Sequence, residues 1–342
     1  MCGRAATRKD GEDNVRREDV ARKAGCSPST VSRVLLGKGY VSESARQRVL
    51  AAAAELGYTP NNLARSLTMN RSNVIAVLIE DLMNPYYFHI VEAMLSKAKE
   101  KGLGLSLFAV SREDFDNTLD TLISNRVIGV VNLAMFEVKK ESIKRLEKAG
   151  ILTVNFSEKD ENVVTIDYSI GVESALACFQ RNGHRTVGFL SGLDRAIAVK
   201  DVRYNAFFQN LGKYGLKTED RFVLCGDYPR ENADRVGYNL VKRMIKNGLP
   251  DGLLCMTDMM ALGAIKALES EGIRVPADIS VIGCDNLEFT EFLHPALTTI
   301  SVDKKTQGGA YIDYFLSGGY GQWQVSTSFV ERESVANRNQ KG

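Results

Sequence analysis

The sequence predicts an α/β protein in which a small helical domain precedes a larger body of doubly wound parallel sheets. Its 342 residues exceed what one small core needs and indicate two or three domains. Residues 15–57 show the periodicity of three short helices. From residue 73 onward, short β-branched runs alternate with amphipathic helical patterns, which is typical of parallel strands covered by helices on both faces.

Residues 17–37 have the residue spacing of a helix-turn-helix. Gly25 allows the chain to turn after a first short helix, Ser27 is placed to cap a second helix, and Pro28 suits its first position. A third helix, capped by Ser42 and ended by Gly57, completes a three-helix core. The residues of the first two helices that are expected to be buried are Val20, Ala21, Ala24, Val31, Val34 and Leu35.

The outward face of the second helix carries Ser29, Thr30 and Arg33. Hydroxyl groups can bond phosphates or base edges, and arginine can contact guanine through two hydrogen bonds. Residues 15–71 contain ten Lys or Arg against four Asp or Glu, whereas the chain after them is mildly acidic. This face is therefore predicted to enter the major groove of DNA. The alternative is the solvated surface of a generic three-helix domain.

A break at Pro60 and a short helix over residues 61–67 are predicted next. A helix of this length is not stable alone, so its order would have to come from a partner. The stretch VARKAGCSPSTVSRVLLGKGYVSESARQRVLAAAAELGYTPNNLARSL, which ends at Leu67, closely resembles the DNA-binding headpiece and hinge of the LacI-type (lactose/galactose repressor) family of bacterial transcription regulators.

The resemblance implies that residues at the start of the second helix read bases, with Pro28 limited to apolar or steric contact. It also implies a hinge that folds into a helix on operator DNA, packs against its dimer mate in the minor groove and wedges Leu67 between base pairs. The alternative for Leu67 is a plain linker residue. The DNA-binding residues predicted in this way are Pro28, Ser29, Thr30, Arg33, Asn62, Arg65 and Leu67.

The remainder of the chain is long enough for two doubly wound subdomains. A TIM barrel has the same alternation of strands and helices, and the resemblance decides against it by implying a two-lobed, periplasmic-binding-protein-like core with the ligand in the cleft between the lobes. The predicted strands are 74–79, 103–110, 127–133, 151–156, 163–167, 186–192, 252–256 and 280–285, and the predicted helices include 86–101, 171–182, 203–214, 232–246 and 259–271.

These predictions combine into one domain plan: an N-terminal three-helix helix-turn-helix headpiece plus a hinge helix, joined to the two-lobed core. The predicted boundaries are 1–14 for a disordered N-terminal extension, 15–59 for the headpiece, 60–72 for the hinge and linker, 73–334 for the effector-binding and dimerisation core, and 335–342 for a tail. Within the core, the N-lobe is expected at about 73–168 and 301–323, and the C-lobe at about 169–300 and 324–334.

Polar residues at the carboxyl ends of the strands are the candidates for ligand binding, because ligands bind there in open α/β sheets. The resemblance aligns Arg203 with an arginine that holds effector in the family, although Ala206 stands where glycine is usual. Salt bridges are the alternative for Arg203 and Asp285, and helix caps for the other Asp and Asn residues. The predicted effector-binding residues are Asn84, Tyr86, Tyr87, Asp167, Arg203, Thr257, Asp258 and Asp285.

Composition and motifs exclude several classes of protein. No run approaches the eighteen or so apolar residues of a membrane span, and the first residues lack the apolar middle of a signal peptide, so a cytoplasmic location is expected. Six cysteines without a C-x-x-C pair suit free thiols. No spaced Cys/His/Asp group, P-loop or nucleophile elbow occurs, and His184 is expected to make a structural hydrogen bond. We therefore expect no metal, no cofactor and no enzymatic activity.

The predicted function is a homodimeric repressor that binds an inverted-repeat operator and is controlled by a small ligand, a sugar or sugar derivative. One alternative is a repressor that needs a purine-like corepressor. A transport-type sugar-binding protein and a chromatin-like architectural protein are alternatives from other classes. DNA binding in a gel shift would exclude the first of these two, and a lack of sequence specificity would favour the second.

Overall fold

The computed structural model describes residues 15–36, 39–58, 72–111, 113–134, 138–156, 163–227 and 231–339. It divides into two compact units, one ending at Ser72 and the other beginning at Asn73. The predicted N-terminal extension and the predicted hinge helix lie outside the described residues.

The first unit contains the three predicted helices. Gly25 has a left-handed backbone with φ of 62°, which lets the chain turn sharply between the first two helices. The hydroxyls of Ser27 and Ser42 each accept a hydrogen bond from the backbone N–H three residues further along, at 3.2 and 3.4 Å, which confirms both predicted caps. The helices are α1 (Arg17–Ala24), α2 (Pro28–Leu36) and α3 (Glu43–Glu55).

These helices enclose a small apolar core of short side chains. Leu35 was predicted inside it but is only half-buried, because it lies at the edge of the apolar stripe of α2. Arg48 ties α3 to α1 by donating from Nε to the carbonyl oxygen of Ala24 at 3.2 Å. The fully buried side chains are Val20, Ala21, Ala24, Val31, Val34, Val49, Ala52 and Ala53.

The second unit begins with a lobe built on four parallel strands in the order β2-β1-β3-β4. Helices connect successive strands, so each connection is a βαβ crossover and both faces of the sheet are covered. The strands are β1 (Val74–Ile79), β2 (Gly104–Ala109), β3 (Gly129–Asn132) and β4 (Leu152–Val154), and the helices are α4 (Pro85–Glu100), α5 (Phe115–Ser124) and α6 (Lys140–Lys148).

The remaining strands form a seven-stranded sheet in the order β5-β11-β10-β9-β8-β6-β7. Its strands are β5 (Val164–Asp167), β6 (Val187–Ser191), β7 (Val223–Cys225), β8 (Gly252–Cys255), β9 (Ser280–Asp285), β10 (Thr298–Val302) and β11 (Trp323–Val330). The helices are α7 (Ser169–Arg181), α8 (Arg195–Ala198), α9 (Val202–Asn210), α10 (Ala233–Ile245), α11 (Asp258–Ser270) and α12 (Lys304–Leu316). Two open sheets rather than one closed barrel confirm the predicted two-lobed α/β core.

The last strand, β11, lies between β5 and β10 in the seven-stranded sheet. Its first half, 323–326, pairs in parallel with β5, and its second half, 327–330, pairs antiparallel with β10. Between β10 and β11 the chain forms α12, which packs against α4 of the first lobe. The approach is so close that a Cβ atom on Gly308 would lie 2.5 Å from the carbonyl oxygen of Ile90. The packing of α12 on α4 therefore places side chains of the first lobe beside those of a helix that connects two strands of the second sheet.

Candidate functional site

The outward face of α2 carries short hydroxyl side chains and one arginine. Ser29 and Arg33 are exposed, and Pro28 and Thr30 are half-buried. The Ser27 hydroxyl lies 2.7 Å from that of Ser29 and 2.9 Å from that of Thr30, so the start of the helix presents a cluster of hydroxyls. Groups of this kind can donate to phosphate oxygens or to base edges.

The base of this face is held by bonds within the headpiece. The Ser32 hydroxyl donates to the carbonyl oxygen of Pro28 at 3.1 Å, and Nη1 of Arg17 donates to the same hydroxyl at 3.3 Å. These bonds fix the first turn of α2 relative to α1. Three further residues predicted to contact DNA, Asn62, Arg65 and Leu67, lie outside the described residues.

In the core, the first lobe contributes a chain of side-chain hydrogen bonds. Tyr86, at the start of α4, donates from its hydroxyl to Oε1 of Gln307 at 2.9 Å. Nε2 of Gln307 donates to the Tyr311 hydroxyl at 3.2 Å, and Nδ2 of Asn155 donates to the same hydroxyl at 3.3 Å. Burial raises the pKa of Tyr86 well above its ordinary value, and the nearby acidic groups of Tyr168 and Asp285 raise this pKa further. Tyr86 therefore stays protonated and lies beside groups of the second lobe.

The two residues that flank Tyr86 have mainly structural positions. Asn84 is buried and caps α4, since its Oδ1 accepts the backbone N–H of Tyr86 at 3.1 Å. Tyr87 was predicted at the cleft, but its side chain is buried in the hydrophobic core of the lobe, with its ring edge-on to Tyr86 at 5.7 Å. It shares a helix face with Ile90 and Met94, so helical spacing turns it inward.

Arg203 is the central cation of the second lobe. Its Nε and Nη2 donate to the two carboxylate oxygens of Asp201 at 3.0 and 2.8 Å, and its Nη1 donates to the carbonyl oxygen of Met256 at 3.1 Å. The guanidinium lies over the ring of Tyr168, 4.7 Å from the ring centre. Burial alone would raise the pKa of Asp201, but the charge and hydrogen bonds of Arg203 lower it.

Two carboxyl groups lie at the carboxyl end of the central strands. Asp258 is completely buried and accepts hydrogen bonds from the Thr299 hydroxyl at 2.6 Å and the Leu287 backbone N–H at 2.8 Å. Burial raises the pKa of Asp258 to about 6. Burial, followed by the charge of Asp258, raises the pKa of Asp285 well above its ordinary value. Lys304 donates to the main-chain carbonyl of Asp285.

Two more predicted ligand residues act at helix starts. The Thr257 hydroxyl accepts the Met260 backbone N–H at 3.2 Å, which caps α11. Oδ1 of Asp167 accepts the Ser169 backbone N–H at 3.0 Å, at the beginning of α7. Tyr86 thus lies within electrostatic range of Asp285, and Asp285 within that of Arg203. Tyr87 and Asp258 are enclosed, and the remaining predicted residues also organise the backbone.

Sequence reasoning missed four residues of this cluster. Tyr168 directly follows the predicted Asp167, so the strand-end rule could have included it. Asp201 stands two residues before Arg203, a spacing that allows one carboxylate to cap the helix and hold the arginine together. Lys304 and Gln307 lie on a helix that was not predicted, so no signal pointed to them.

Several other expectations concern absent features. Within the described ranges, no group of three or more His, Cys, Asp or Glu side chains is arranged to hold a metal ion. Among the helices in that same part of the chain, none is both long enough and apolar enough to cross a membrane. His184 makes structural hydrogen bonds as predicted, between its Nδ1 and the carbonyl oxygen of Phe179 at 3.0 Å and between its Nε2 and the Ser280 hydroxyl at 2.8 Å.

Two family models match the chain. Residues 18–61 match the bacterial regulatory proteins of the lacI family. Residues 176–335 match a periplasmic binding protein-like domain. The two matches fall on the headpiece and on the core, respectively.

Relatives of known function are similar over nearly the whole chain. The HTH-type transcriptional repressor PurR of Actinobacillus pleuropneumoniae serotype 3 (strain JL03) is 32% identical over 337 residues, covering 94% of this chain and 98% of that protein. The structure of the Lac repressor dimer bound to operator and the anti-inducer ONPF is 28% identical with a TM-score of 0.76, covering 95% of this chain and all of that one. The complex of the transcriptional regulator CelR with cellobiose is 25% identical with a TM-score of 0.65, covering 94% and 99%.

Proposed function

Because this chain belongs to the lacI family of bacterial regulatory proteins and is a DNA-binding repressor rather than an enzyme, we propose that it acts in the cytoplasm as a dimer on an inverted-repeat operator. We propose further that a sugar or sugar derivative binds between its lobes and controls DNA binding. The observation that supports the control is that Tyr86 of one lobe lies close enough to Asp285 of the other to affect its electrostatics, as Asp285 does to Arg203. A ligand that touches all three would change the relation of the lobes.

The DNA-reading step rests on the exposed face of α2. In this proposal Arg33 makes two hydrogen bonds to a guanine, Ser29 and Thr30 donate to base edges or phosphates, and Pro28 makes apolar contact. Asn62, Arg65 and Leu67 complete the interface from the hinge, with Leu67 as the wedge. One such module covers too few base pairs for a specific site, so two copies have to bind together.

The dimer is supported by an exposed apolar surface on the first lobe. Phe88 is 57% exposed and Leu95 48% exposed, both on the outer side of α4, and Leu107 is 46% exposed on the edge strand β2. Soluble monomers seldom expose neighbouring large apolar side chains of this kind, and β2 also presents an unpaired strand edge. A second copy packed on this surface would form a symmetrical dimer of the core, which carries two headpieces in all.

A purine-like corepressor is the second candidate for the ligand. It is favoured by the similarity to the PurR repressor and by the two aromatic rings of Tyr86 and Tyr168 in the cluster, which could stack on a base. The sugar is supported by the CelR–cellobiose complex and by the excess of amide and carboxyl groups over aromatic rings. The sign of control separates the candidates, since a corepressor tightens operator binding and an inducer weakens it.

The test of DNA reading is operator binding by two variants of Arg33. We would select an inverted-repeat sequence with the wild-type protein and measure binding by fluorescence anisotropy. Arg33→Ala is expected to lose roughly five- to 150-fold in affinity, because a bidentate base contact contributes about 1–3 kcal/mol. Arg33→Lys retains the positive charge but not the paired N–H groups of the guanidinium. This variant should therefore lose the preference for the selected sequence and keep non-specific DNA binding. Unchanged affinity and sequence preference in both variants would remove Arg33 from the proposal.

The test of ligand control is a thermal-shift screen against sugars, sugar phosphates, nucleosides and purines, repeated with the selected DNA present. A ligand at about a hundred times its dissociation constant adds about 2.7 kcal/mol to the stability of the state that binds it. By linkage, a ligand that controls DNA binding has its own affinity changed by DNA by the same factor. A hit whose affinity is the same with and without DNA would contradict ligand control.

A further inference from the structure

We propose that Asp201 is a specificity-determining residue that neutralises Arg203 and thereby restricts the cleft to uncharged ligands. Phosphorylated or carboxylated compounds are rejected, because the cation that would hold them already has an anionic partner. The inference rests on the proposed function in one respect, namely that the effector binds at the cluster of Tyr86, Arg203 and Asp285.

The geometry between Asp201 and Arg203 is that of a complete bidentate pair. Nε and Nη2 of Arg203 donate to separate carboxylate oxygens at 3.0 and 2.8 Å, which is the arrangement in which a guanidinium grips an external carboxylate or phosphate. The internal carboxylate thus occupies the edge of the guanidinium that anions prefer. An anionic ligand would have to displace Asp201 before it could use that edge.

Displacement is opposed by the fixed position of both side chains. The Asp201 side chain is 14% exposed and that of Arg203 is 12% exposed, so neither has room to swing into solvent. Asp201 also accepts the backbone N–H of Arg203 at 2.8 Å and so caps α9. Removing its carboxylate from Arg203 would also break the cap and leave a charge without a partner in a buried place.

The guanidinium still has capacity for a neutral group. Among the described residues, hydrogen bonds from Nε, Nη1 and Nη2 use three of its five N–H bonds. The two others can donate to a hydroxyl or a carbonyl oxygen. Arg203 therefore keeps a positioning role toward an uncharged ligand while its net charge is cancelled.

The other cations near the cluster have internal partners as well. The Lys304 ammonium donates to the main-chain carbonyls of Asp285 and Val302. Arg332 donates to the side chain of Asn286 at 2.8 Å and to the carbonyl oxygen of Leu297 at 2.8 Å. Both also face the carboxyl group of Asp258, whose pKa they lower against the larger effect of burial. Both cations thus donate to neutral acceptors of the protein, and within the part of the chain that the structure describes Arg203 differs from them in having a carboxylate at salt-bridge distance.

Asp194 provides a matched control for Asp201. Both aspartates are N-caps of neighbouring short helices, and the Asp194 carboxylate accepts the backbone N–H groups of Ala196 and Ile197 at 2.8 and 3.2 Å. Asp194 contacts the backbone of its own helix, whereas Asp201 contacts the guanidinium of Arg203 as well. A change from Asp to Asn removes one negative charge in each case and keeps an oxygen for the cap.

The experiment measures binding of inorganic phosphate to the full-length chain by isothermal titration calorimetry in phosphate-free buffer. Ribose against ribose 5-phosphate and adenosine against adenosine 5′-monophosphate serve as matched neutral and anionic pairs. We expect the wild type and Asp194→Asn to bind phosphate weakly or not at all. Asp201→Asn is expected to gain at least tenfold in phosphate affinity, and Asp201→Asn combined with Arg203→Gln is expected to lose that gain. Asp201→Ser, which also retains a cap oxygen, repeats the test if Asp201→Asn does not fold.

Three results would overturn the proposal. The first is an equal affinity for phosphate in the wild type, Asp201→Asn and Asp201→Ser. The second is a gain in phosphate affinity in Asp194→Asn that is as large as the gain in Asp201→Asn. The third is tighter binding of either phosphorylated compound than of its neutral partner by the wild type. Fluorescence anisotropy with the selected operator tests the proposed function separately. A wild type that shows no preference for the selected sequence contradicts the function, and the phosphate measurements remain a test of the pair of Asp201 and Arg203.

Discussion

The headpiece and the core place their candidate functional residues in opposite environments. In the headpiece, Ser29 and Arg33 are exposed on a helix whose other face makes the small apolar core. In the core, Arg203 and Asp285 are largely buried and bonded to other parts of the protein. Function and stability are therefore carried by different side chains in the headpiece and by the same side chains in the core.

This difference predicts how each unit responds to substitution. An exposed reading residue is held by its own helix, so its loss removes a contact to DNA and leaves folding unchanged. A buried ligand residue belongs to a hydrogen-bond network, so its loss costs stability before any ligand is present. Substitutions at the cleft should consequently show the larger effects in the absence of ligand and DNA.

The largest expected effect is that of Arg203→Leu. The substitution leaves the Asp201 carboxylate buried without its bidentate partner, which costs about 3–5 kcal/mol when one member of a buried pair is removed. We expect the unfolding transition of the core, followed in urea by circular dichroism, to shift accordingly. Arg33→Leu on the exposed face of α2 is the matched control and should change stability by less than about 0.5 kcal/mol. Similar shifts for the two variants would contradict the contrast between the units.

The second effect concerns His184 and the pH dependence of the core. Burial lowers the pKa of His184 from its ordinary value of 6.5 to about 4. The folded state therefore resists protonation, so the stability contribution of the neutral ring is complete above pH 6.5 and is lost as pH falls toward 4. We expect the free energy of unfolding to fall by about 1.4 kcal/mol per pH unit within that range relative to His184→Gln.

The comparison with His184→Gln is needed because Asp258 acts in the opposite direction. Burial raises the pKa of Asp258 from 3.8 to about 6, so its protonated form favours the folded state as pH falls. This contribution is common to the wild type and to the variant and cancels in the difference. His294→Gln serves as a second reference. A wild-type pH slope that matches His184→Gln between pH 6 and 5 would show that His184 is not buried in its neutral form.

The same contrast between units governs how much was predictable from the sequence. The headpiece was predicted helix by helix, because its turn glycine, its caps and its apolar spacing are all local features. Buried parallel strands were equally clear, and the strands at 74–79 and 280–285 have the predicted bounds. Each of these elements has a single kind of surroundings along its length, so a single hydrophobic periodicity is enough to predict it.

The helix α12 and the strand β11 were not predicted, and the residues of both contact more than one neighbouring element. β11 alternates buried residues with exposed Gln and Ser and pairs with two different strands. α12 is buried around much of its circumference and contains Gly308, which the close approach of α4 requires. Its hydrophobic pattern is therefore weak although it is a stable helix.

The candidate cleft shows the same limit. The rule that ligands bind at strand ends led to Asp285, which ends a recognisable strand, whereas the resemblance to the family led to Arg203. The hydrogen bond between Tyr86 and Gln307 joins residues 221 positions apart and depends on the packing of α12 against α4. Contacts between residues so far apart in the chain depend on the whole fold and leave no local pattern. Only some residues of the cluster could therefore be predicted from the sequence.

The smallest expected effects compare two helix caps, Ser42 in the headpiece and Thr257 in the core. Ser42→Ala removes a cap bond of 3.4 Å at an exposed helix start and should cost about 0.5–1 kcal/mol, seen in the headpiece transition alone. Thr257→Ala removes a cap bond of 3.2 Å at the cleft and should cost about 1 kcal/mol in the core transition.

The two caps should differ once a ligand is present. Thr257→Ser keeps the cap oxygen, so it should restore stability. If Thr257 also contacts the ligand through its hydroxyl, Thr257→Ser should restore ligand binding, measured as the thermal shift at a saturating concentration, whereas Thr257→Ala should not. Ser42→Ala should leave that shift unchanged, because the headpiece and the core are separate units. If Thr257→Ala shows the same ligand-induced thermal shift as the wild type, Thr257 acts only as a helix cap. The cleft would then contain a residue that stabilises the core without contacting the ligand.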